Sequence, residues 1–120
     1  MPGGGEHILL VDDEEMLVDM MQQVLEQLGY SVSAHTDSSA ALDGFRSQPK
    51  DYDLMITDMT MPKMTGEKLG LQIMEMRPDI PVILCSGFSE AISEKKALEL
   101  GFSSFIMKPV LIHEIAQKMR

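Results

Sequence analysis

The chain has 120 residues, one cysteine, and ten basic against nineteen acidic side chains, which give a formal net charge of −9. This length suits one domain around one hydrophobic core, and a single cysteine excludes an internal disulfide. The negative charge opposes direct binding to nucleic acid, and no apolar run approaches the roughly 20 residues that a membrane span requires.

The first five residues contain three glycines and a proline and offer no side chain that packs well. We expect residues 1–5 to be a flexible tether or an expression-derived remnant, outside a domain formed by residues 6–120. They also lack the basic and apolar regions of a signal peptide, and the lone Cys85 suits a reducing compartment as a packed core thiol. We therefore expect a cytoplasmic location and no membrane contact.

Short apolar runs alternate along the chain with segments whose apolar residues recur every three to four positions. The runs predict strands at residues 7–11, 30–35, 52–56, 81–86 and 104–107. The first periodic segment predicts a helix over residues 14–28, with Asp13 as its N-cap and Gly29 as its stop. The remaining helices are predicted around residues 41–45, from 66 to 76, between Ser89 and Gly101, and from 111 to 119.

This alternation of strands and helices with short connections predicts an α/β fold. The strands form a parallel sheet that is covered on both faces by helices and built by right-handed crossovers. Ligands of such open sheets bind beyond the carboxyl ends of the strands, so polar residues that follow strands are the candidate site residues.

Chemically reactive side chains follow four of the five predicted strands. They are Asp12 and Asp13 after the first strand, Asp58 after the third, Ser86 at the end of the fourth and Lys108 after the fifth. Three crowded carboxylates repel one another unless a cation neutralises them, and Mg²⁺ suits one or two carboxylates, a carbonyl and several waters.

A metal beside Asp58 would allow this carboxylate to act as a nucleophile toward a phosphoryl group. Lys108 would hold the phosphoryl oxygens by its charge, and Ser86 would donate a hydrogen bond to one of them. Taken singly, the acidic pair is an ordinary helix cap, the serine a turn residue and the lysine a solvated charge. Their joint occurrence at one sheet edge favours a site.

Four stretches that carry these residues resemble the receiver domains of two-component response regulators, the CheY-like family. They are Leu-Val-Asp-Asp-Glu at 10–14, Asp-Met-Thr-Met-Pro-Lys-Met-Thr-Gly at 58–66, Pro-Val-Ile-Leu-Cys-Ser-Gly at 81–87 and Phe-Ile-Met-Lys-Pro at 105–109. The resemblance spans residues 6–119. It implies a flavodoxin-like (βα)5 three-layer sandwich whose parallel five-stranded sheet has the order 2-1-3-4-5.

The resemblance also implies how the site works. Asp58 is the expected phosphoacceptor, which takes a phosphoryl group from the phosphohistidine of a histidine kinase or a histidine phosphotransfer domain. Asp13, Asp58 and the backbone carbonyl of Thr60 are the expected Mg²⁺ ligands, with Asp12 acting through a metal-bound water.

A switch to a downstream effector follows from the same resemblance. Ser86 and Lys108 are expected to hold the phosphoryl group. Phe105 is then expected to move inward with the serine, which changes the surface formed by helix 4, strand 5 and helix 5. The Lys108–Pro109 bond is expected to be cis. As an isolated domain the chain is expected to catalyse nothing beyond its own phosphorylation and dephosphorylation.

Several alternatives stay open at this point. The parent is expected to be a hybrid sensor histidine kinase, with a stand-alone receiver as the second choice. A pseudo-receiver would serve only as a docking module that is independent of phosphorylation. A phosphatase of the haloacid dehalogenase type also uses an Asp at a strand end, but it needs a second Asp where this chain has Thr60.

Overall fold

A computed structural model describes residues 6–59, 61, 64–86 and 94–107. Its strands are β1 (His7–Val11), β2 (Ser31–His35), β3 (Leu54–Asp58), β4 (Val82–Ser86) and β5 (Ser104–Met107). Its helices are α1 (Glu15–Gln27), α2 (Ser38–Ser47), α3 (Gly66–Met76) and α4 (Glu94–Glu99), with a 3-10 turn at Pro49–Asp51. The predicted cap at Ser89 and the predicted helix over 111–119 lie outside the described residues.

The five strands form one parallel sheet in the order β2-β1-β3-β4-β5, which confirms the predicted fold class and strand order. In the register of the central pair, Val11 lies beside Thr57. The next residues, Asp12 and Asp58, therefore leave neighbouring strands side by side. Within the described ranges, no helix has the length and apolar character to cross a membrane.

Strand β1, which lies between β2 and β3, is buried on both faces, as its uninterrupted apolar sequence predicts. Ile8 and Leu10 pack into a core cluster with residues of α1. Leu9 and Val11 point to the opposite face, into a cluster with residues of α2 and α3. Cys85 is buried in the first of these clusters, which confirms the expected packed thiol.

The predicted N-cap of α1 is wrong. The capping position belongs to Glu14, whose side chain makes no capping hydrogen bond. Instead, the Oδ1 atom of Asp12 accepts a hydrogen bond from the Glu14 backbone N–H at 2.9 Å. This short-range turn satisfies a donor that the helix leaves unpaired, and it leaves the carboxylate of Asp13 exposed.

The third strand begins later than predicted and includes Asp58 as its last residue. Arg77 binds the segment before it, because its Nη1 atom donates to the backbone carbonyls of Pro49 and Tyr52, each at 2.7 Å. This contact joins segments that are distant along the chain, and local pattern does not reveal it.

Gly70 allows α3 to pack closely against Phe102, a ring that is only 2% exposed. A β-carbon at this position would lie 2.5 Å from the Cε1 atom of Phe102. We expect Gly70→Ala to lower the free energy of unfolding by about 1–3 kcal/mol, because the buried ring must move. Urea denaturation measures the change.

Gly44→Ala is the matched control, because Gly44 also lies inside a helix but has no atom nearer than 3.8 Å to a new β-carbon. Alanine favours the helix by up to about 1 kcal/mol over glycine, so this variant should be neutral or more stable. Equal losses in the two variants would contradict the packing argument.

Candidate functional site

Three carboxylates meet at the carboxyl edge of the sheet. Asp12, Asp13 and Asp58 each place an oxygen within 4.8 Å of the others. Asp12 and Asp58 are each 3% exposed, whereas Asp13 is exposed. The first loop and the end of β3 therefore form an anionic site with a buried floor and an open rim.

Backbone hydrogen bonds hold both buried carboxylates in place. The N–H of Asp12 donates to the carbonyl of His35 at 3.2 Å, which ties the end of β1 to β2. On the other side of the site, the Met59 N–H donates to the Cys85 carbonyl at 2.7 Å, which continues the pairing of β3 with β4 beyond Asp58. Asp12, directly after β1, and Asp58, the last residue of β3, thus each lie where a strand is anchored to its neighbour.

The remaining predicted site residues are placed only in part. Ser86 is the last residue of β4 and pairs with Met107, and Phe105 lies in β5 opposite Leu84. The roles predicted for the side chains of Ser86 and Phe105, and every prediction for Thr60 and Lys108, lie outside the described part of the chain.

The chemistry of the three carboxylates fits a hard divalent cation. Two negative charges buried within a few ångströms of a third are costly, because like charges repel and burial removes the water that would screen them. Oxygen ligands of this kind suit Mg²⁺ or Ca²⁺. Acidic groups on an open surface often bind no metal, so it is the burial of two of the three carboxylates that favours a metal site here.

The sequence reasoning did not single out two residues that touch the backbone of Asp58. Thr57 lies inside an apolar strand, where a threonine gives no functional signal. Gly66 was predicted as the start of a helix and as the last residue of the 58–66 stretch that resembles receiver domains, without a contact to Asp58. The contact of Gly66 with Asp58 depends on how α3 returns to the sheet, whereas Thr57 contacts Asp58 as its neighbour in β3.

The residues from 8 to 120 match the family model described as the response regulator receiver domain. The chain belongs to this family. The match covers most of the chain and includes all three clustered carboxylates. It excludes the dehalogenase-type phosphatase as an alternative.

Curated relatives agree with this assignment. This receiver domain is 32% identical over 111 residues to the two-component response regulator ARR10 of Arabidopsis thaliana, covering 92% of this chain and 20% of that protein. It is 30% identical over 115 residues to the transcriptional regulatory protein CreB of Escherichia coli K12, covering 96% of this chain and 49% of that protein. The chain thus spans at most about half of these two relatives.

Solved structures show the same fold. A receiver domain protein from Clostridium thermocellum superposes with a TM-score of 0.90 at 27% identity, covering 95% of this chain and 90% of that one. A chain of the CheX-CheY-BeF3-Mg²⁺ complex from Borrelia burgdorferi gives a TM-score of 0.86 at 27% identity, covering 94% and 85%. The similarity extends over nearly the full length of each chain.

His35 is a titratable residue of this receiver domain at the carboxyl end of β2. Its half-buried ring lies near Gly44 of α2, where a β-carbon would be 3.8 Å from the Nε2 atom. Burial lowers the pKa of His35 below its usual range, and the negative charge of Asp37 opposes this only in part.

The lowered pKa of His35 makes stability depend on pH. The folded state favours the neutral ring, so its contribution is fully present above the unfolded pKa of about 6.5 and is lost as pH falls through the folded value. We expect the free energy of unfolding to fall less steeply from pH 7.5 to 5.5 in His35→Gln than in wild type. Urea titrations at each pH measure this, and identical slopes would refute it.

Proposed function

We propose that this domain accepts a phosphoryl group on Asp58 from a phosphohistidine and thereby switches a surface that a downstream effector reads. The observation that carries the proposal is the placement of Asp58, buried at the end of the central strand β3 and within 4.8 Å of two further carboxylates. A pure docking module has no need to bury two repelling charges at this position, so the cluster favours chemistry over the pseudo-receiver alternative.

In the proposed reaction, a carboxylate oxygen of Asp58 attacks the phosphorus of the phosphohistidine. The new O–P bond forms as the P–N bond breaks, and the imidazole leaves with the bonding electron pair and takes up a proton. The product is an aspartyl phosphate and a free histidine. Lys108 is proposed to balance the charge of the phosphoryl oxygens, and Ser86 to donate a hydrogen bond to one of them.

Asp12, Asp13 and Asp58 are the residues that would hold a Mg²⁺ ion, together with the carbonyl of Thr60. The bound ion would supply positive charge between the carboxylates and the incoming phosphoryl oxygens. Asp12 already accepts the Glu14 N–H. This hydrogen bond orients one oxygen of the Asp12 carboxylate, as the outer-shell partner of a metal ligand does.

The output is proposed to arise from the new charge. An aspartyl phosphate adds a strong anion that binds one conformation better, and Ser86 and Phe105 are the residues proposed to move. The surface that changes would be α4, β5 and the helix predicted over 111–119. The proposed partners are a histidine kinase or phosphotransfer domain upstream and an effector downstream. We predict that the parent protein is a cytoplasmic hybrid sensor histidine kinase.

Replacing Asp58 by asparagine should abolish phosphorylation. The amide keeps the shape of the side chain but is a far weaker nucleophile than the carboxylate. We expect wild type treated with acetyl phosphate and Mg²⁺ to gain one phosphoryl group by intact-mass spectrometry, and Asp58→Asn to gain none.

Asp19→Asn is the control for this experiment, because Asp19 is an exposed carboxylate of α1 outside the cluster. It should be phosphorylated like wild type. A wild-type protein that gains no mass under any small phosphoryl donor would contradict the proposed function.

Mg²⁺ should stabilise the folded domain, because the ion neutralises the carboxylate cluster, which the unfolded chain does not possess. At a Mg²⁺ concentration one hundred times its dissociation constant, the gain in free energy of unfolding is about 2.7 kcal/mol. Thermal unfolding with Mg²⁺, against NaCl of equal ionic strength, separates binding from screening.

The same measurement on Asp13→Asn should show a much smaller stabilisation by Mg²⁺, whereas Asp19→Asn should respond as wild type does. A stabilisation that NaCl reproduces fully would count against a metal at this site.

A further inference from the structure

The backbone carbonyl of Asp58 has an unusual hydrogen-bond donor. The hydroxyl of Thr57, the residue before it, donates to this oxygen at 3.0 Å. Thr57 is fully buried. A buried hydroxyl is costly unless it is hydrogen-bonded, and valine would fill nearly the same volume without that need. The hydroxyl thus finds its partner on the residue that carries the proposed chemistry.

The first residue of α3 packs against the same carbonyl. A β-carbon on Gly66 would lie 1.8 Å from the carbonyl oxygen of Asp58 and 2.7 Å from its carbonyl carbon. Both atoms belong to backbone and cannot rotate away as a side chain would. The Gly66 N–H also donates to the Met59 carbonyl at 2.8 Å, so the helix start is tied to the strand exit.

Both the carbonyl and the N–H of the peptide that joins Asp58 to Met59 are therefore held by contacts. Its carbonyl accepts from Thr57 and abuts Gly66, and its N–H donates to the Cys85 carbonyl at 2.7 Å. These contacts fix the orientation of the peptide plane, which sets ψ of Asp58. Pairing within the sheet constrains φ, so the carboxylate keeps only its own side-chain torsions.

We propose that Thr57 and Gly66 are positioning residues that clamp the Asp58–Met59 peptide and thereby aim the Asp58 carboxylate at the other two acids. The consequence of this clamp for phosphoryl transfer rests on the proposed function. A site must be held to within about 0.5 Å of its productive geometry, and an error of about 1 Å costs about a hundredfold in rate. A loose peptide at the nucleophile would incur such a loss.

The decisive comparison is between Thr57→Val and Thr57→Ser. Valine keeps the shape and removes the hydrogen bond, whereas serine keeps the hydroxyl and loses a methyl group. With saturating Mg²⁺ and acetyl phosphate, we expect phosphorylation of Thr57→Val to be slower than wild type by about tenfold or more, and Thr57→Ser to recover most of the rate.

A spectroscopic measurement tests the clamp without any reaction. The ¹³C chemical shift of the Asp58 carbonyl reports the hydrogen bond that it accepts. In the unphosphorylated protein this shift should change in Thr57→Val and remain near the wild-type value in Thr57→Ser. If wild type is not phosphorylated, the proposed function fails, while the carbonyl shift still decides whether the clamp exists.

Gly66→Ala and Gly70→Ala form a second matched pair, one helical turn apart in α3. Both create a clash, at Asp58 backbone and at the Phe102 ring respectively. We expect the folded fraction of Gly66→Ala to be phosphorylated at least about tenfold more slowly, and that of Gly70→Ala at the wild-type rate. Stability measured by urea denaturation corrects both rates for unfolded protein.

Two outcomes would overturn the clamp. One is a Thr57→Val variant with wild-type rate and wild-type carbonyl shift. The other is a Gly70→Ala variant slowed as much as Gly66→Ala, which would reduce the effect to general destabilisation. If Gly66→Ala does not fold, the threonine pair alone gives the answer.

Discussion

Mutual repulsion among three carboxylates is the constraint around which this domain is built. Asp12, Asp13 and Asp58 would separate if their backbones were free, yet the sheet holds their oxygens within 4.8 Å. The restraint comes from the parallel pairing of β1 with β3 and from the two cores that bury β1 on both faces. The free energy of packing thus offsets the electrostatic cost of holding the carboxylates together, and a cation or phosphoryl group binds to a site that is already formed.

The two edges of the sheet are organised differently. At the amino edge, Arg77 donates to two backbone carbonyls of the segment before β3, and the His7 ring lies 3.1 Å from the Asp51 carbonyl and stacks on Tyr52. These contacts tie down the connection that precedes the phosphoacceptor strand. The cluster of three carboxylates, with its exposed rim, lies at the carboxyl edge. At the amino edge the Asp53 carboxylate also accepts a hydrogen bond from the His7 N–H at 2.8 Å, so this edge is held by side chains of the connecting segments.

Most of the fold follows from local pattern. Alternating apolar runs and helical stripes predicted the parallel sheet, because a strand buried on both faces must be apolar throughout. The errors occurred where side chains act over short distances that no periodicity encodes. The capping role assigned to Asp13 fails because the helix begins one residue later, with Glu14 at the capping position and its N–H bound by Asp12. The start of β3 was also misplaced, in a segment whose Tyr52 carbonyl binds Arg77, far along the chain.

By itself the sequence determined the fold class, the strands that carry acidic residues and the edge at which these residues emerge, because each depends on residue order and periodicity. Tertiary structure alone decided that Asp12 and Asp58 are buried while Asp13 is exposed, and that Gly66 closes on the carbonyl of Asp58. Burial and close approach depend on strand register and on where α3 returns to the sheet. Those are properties of contacts between distant segments, which no local stretch of sequence contains.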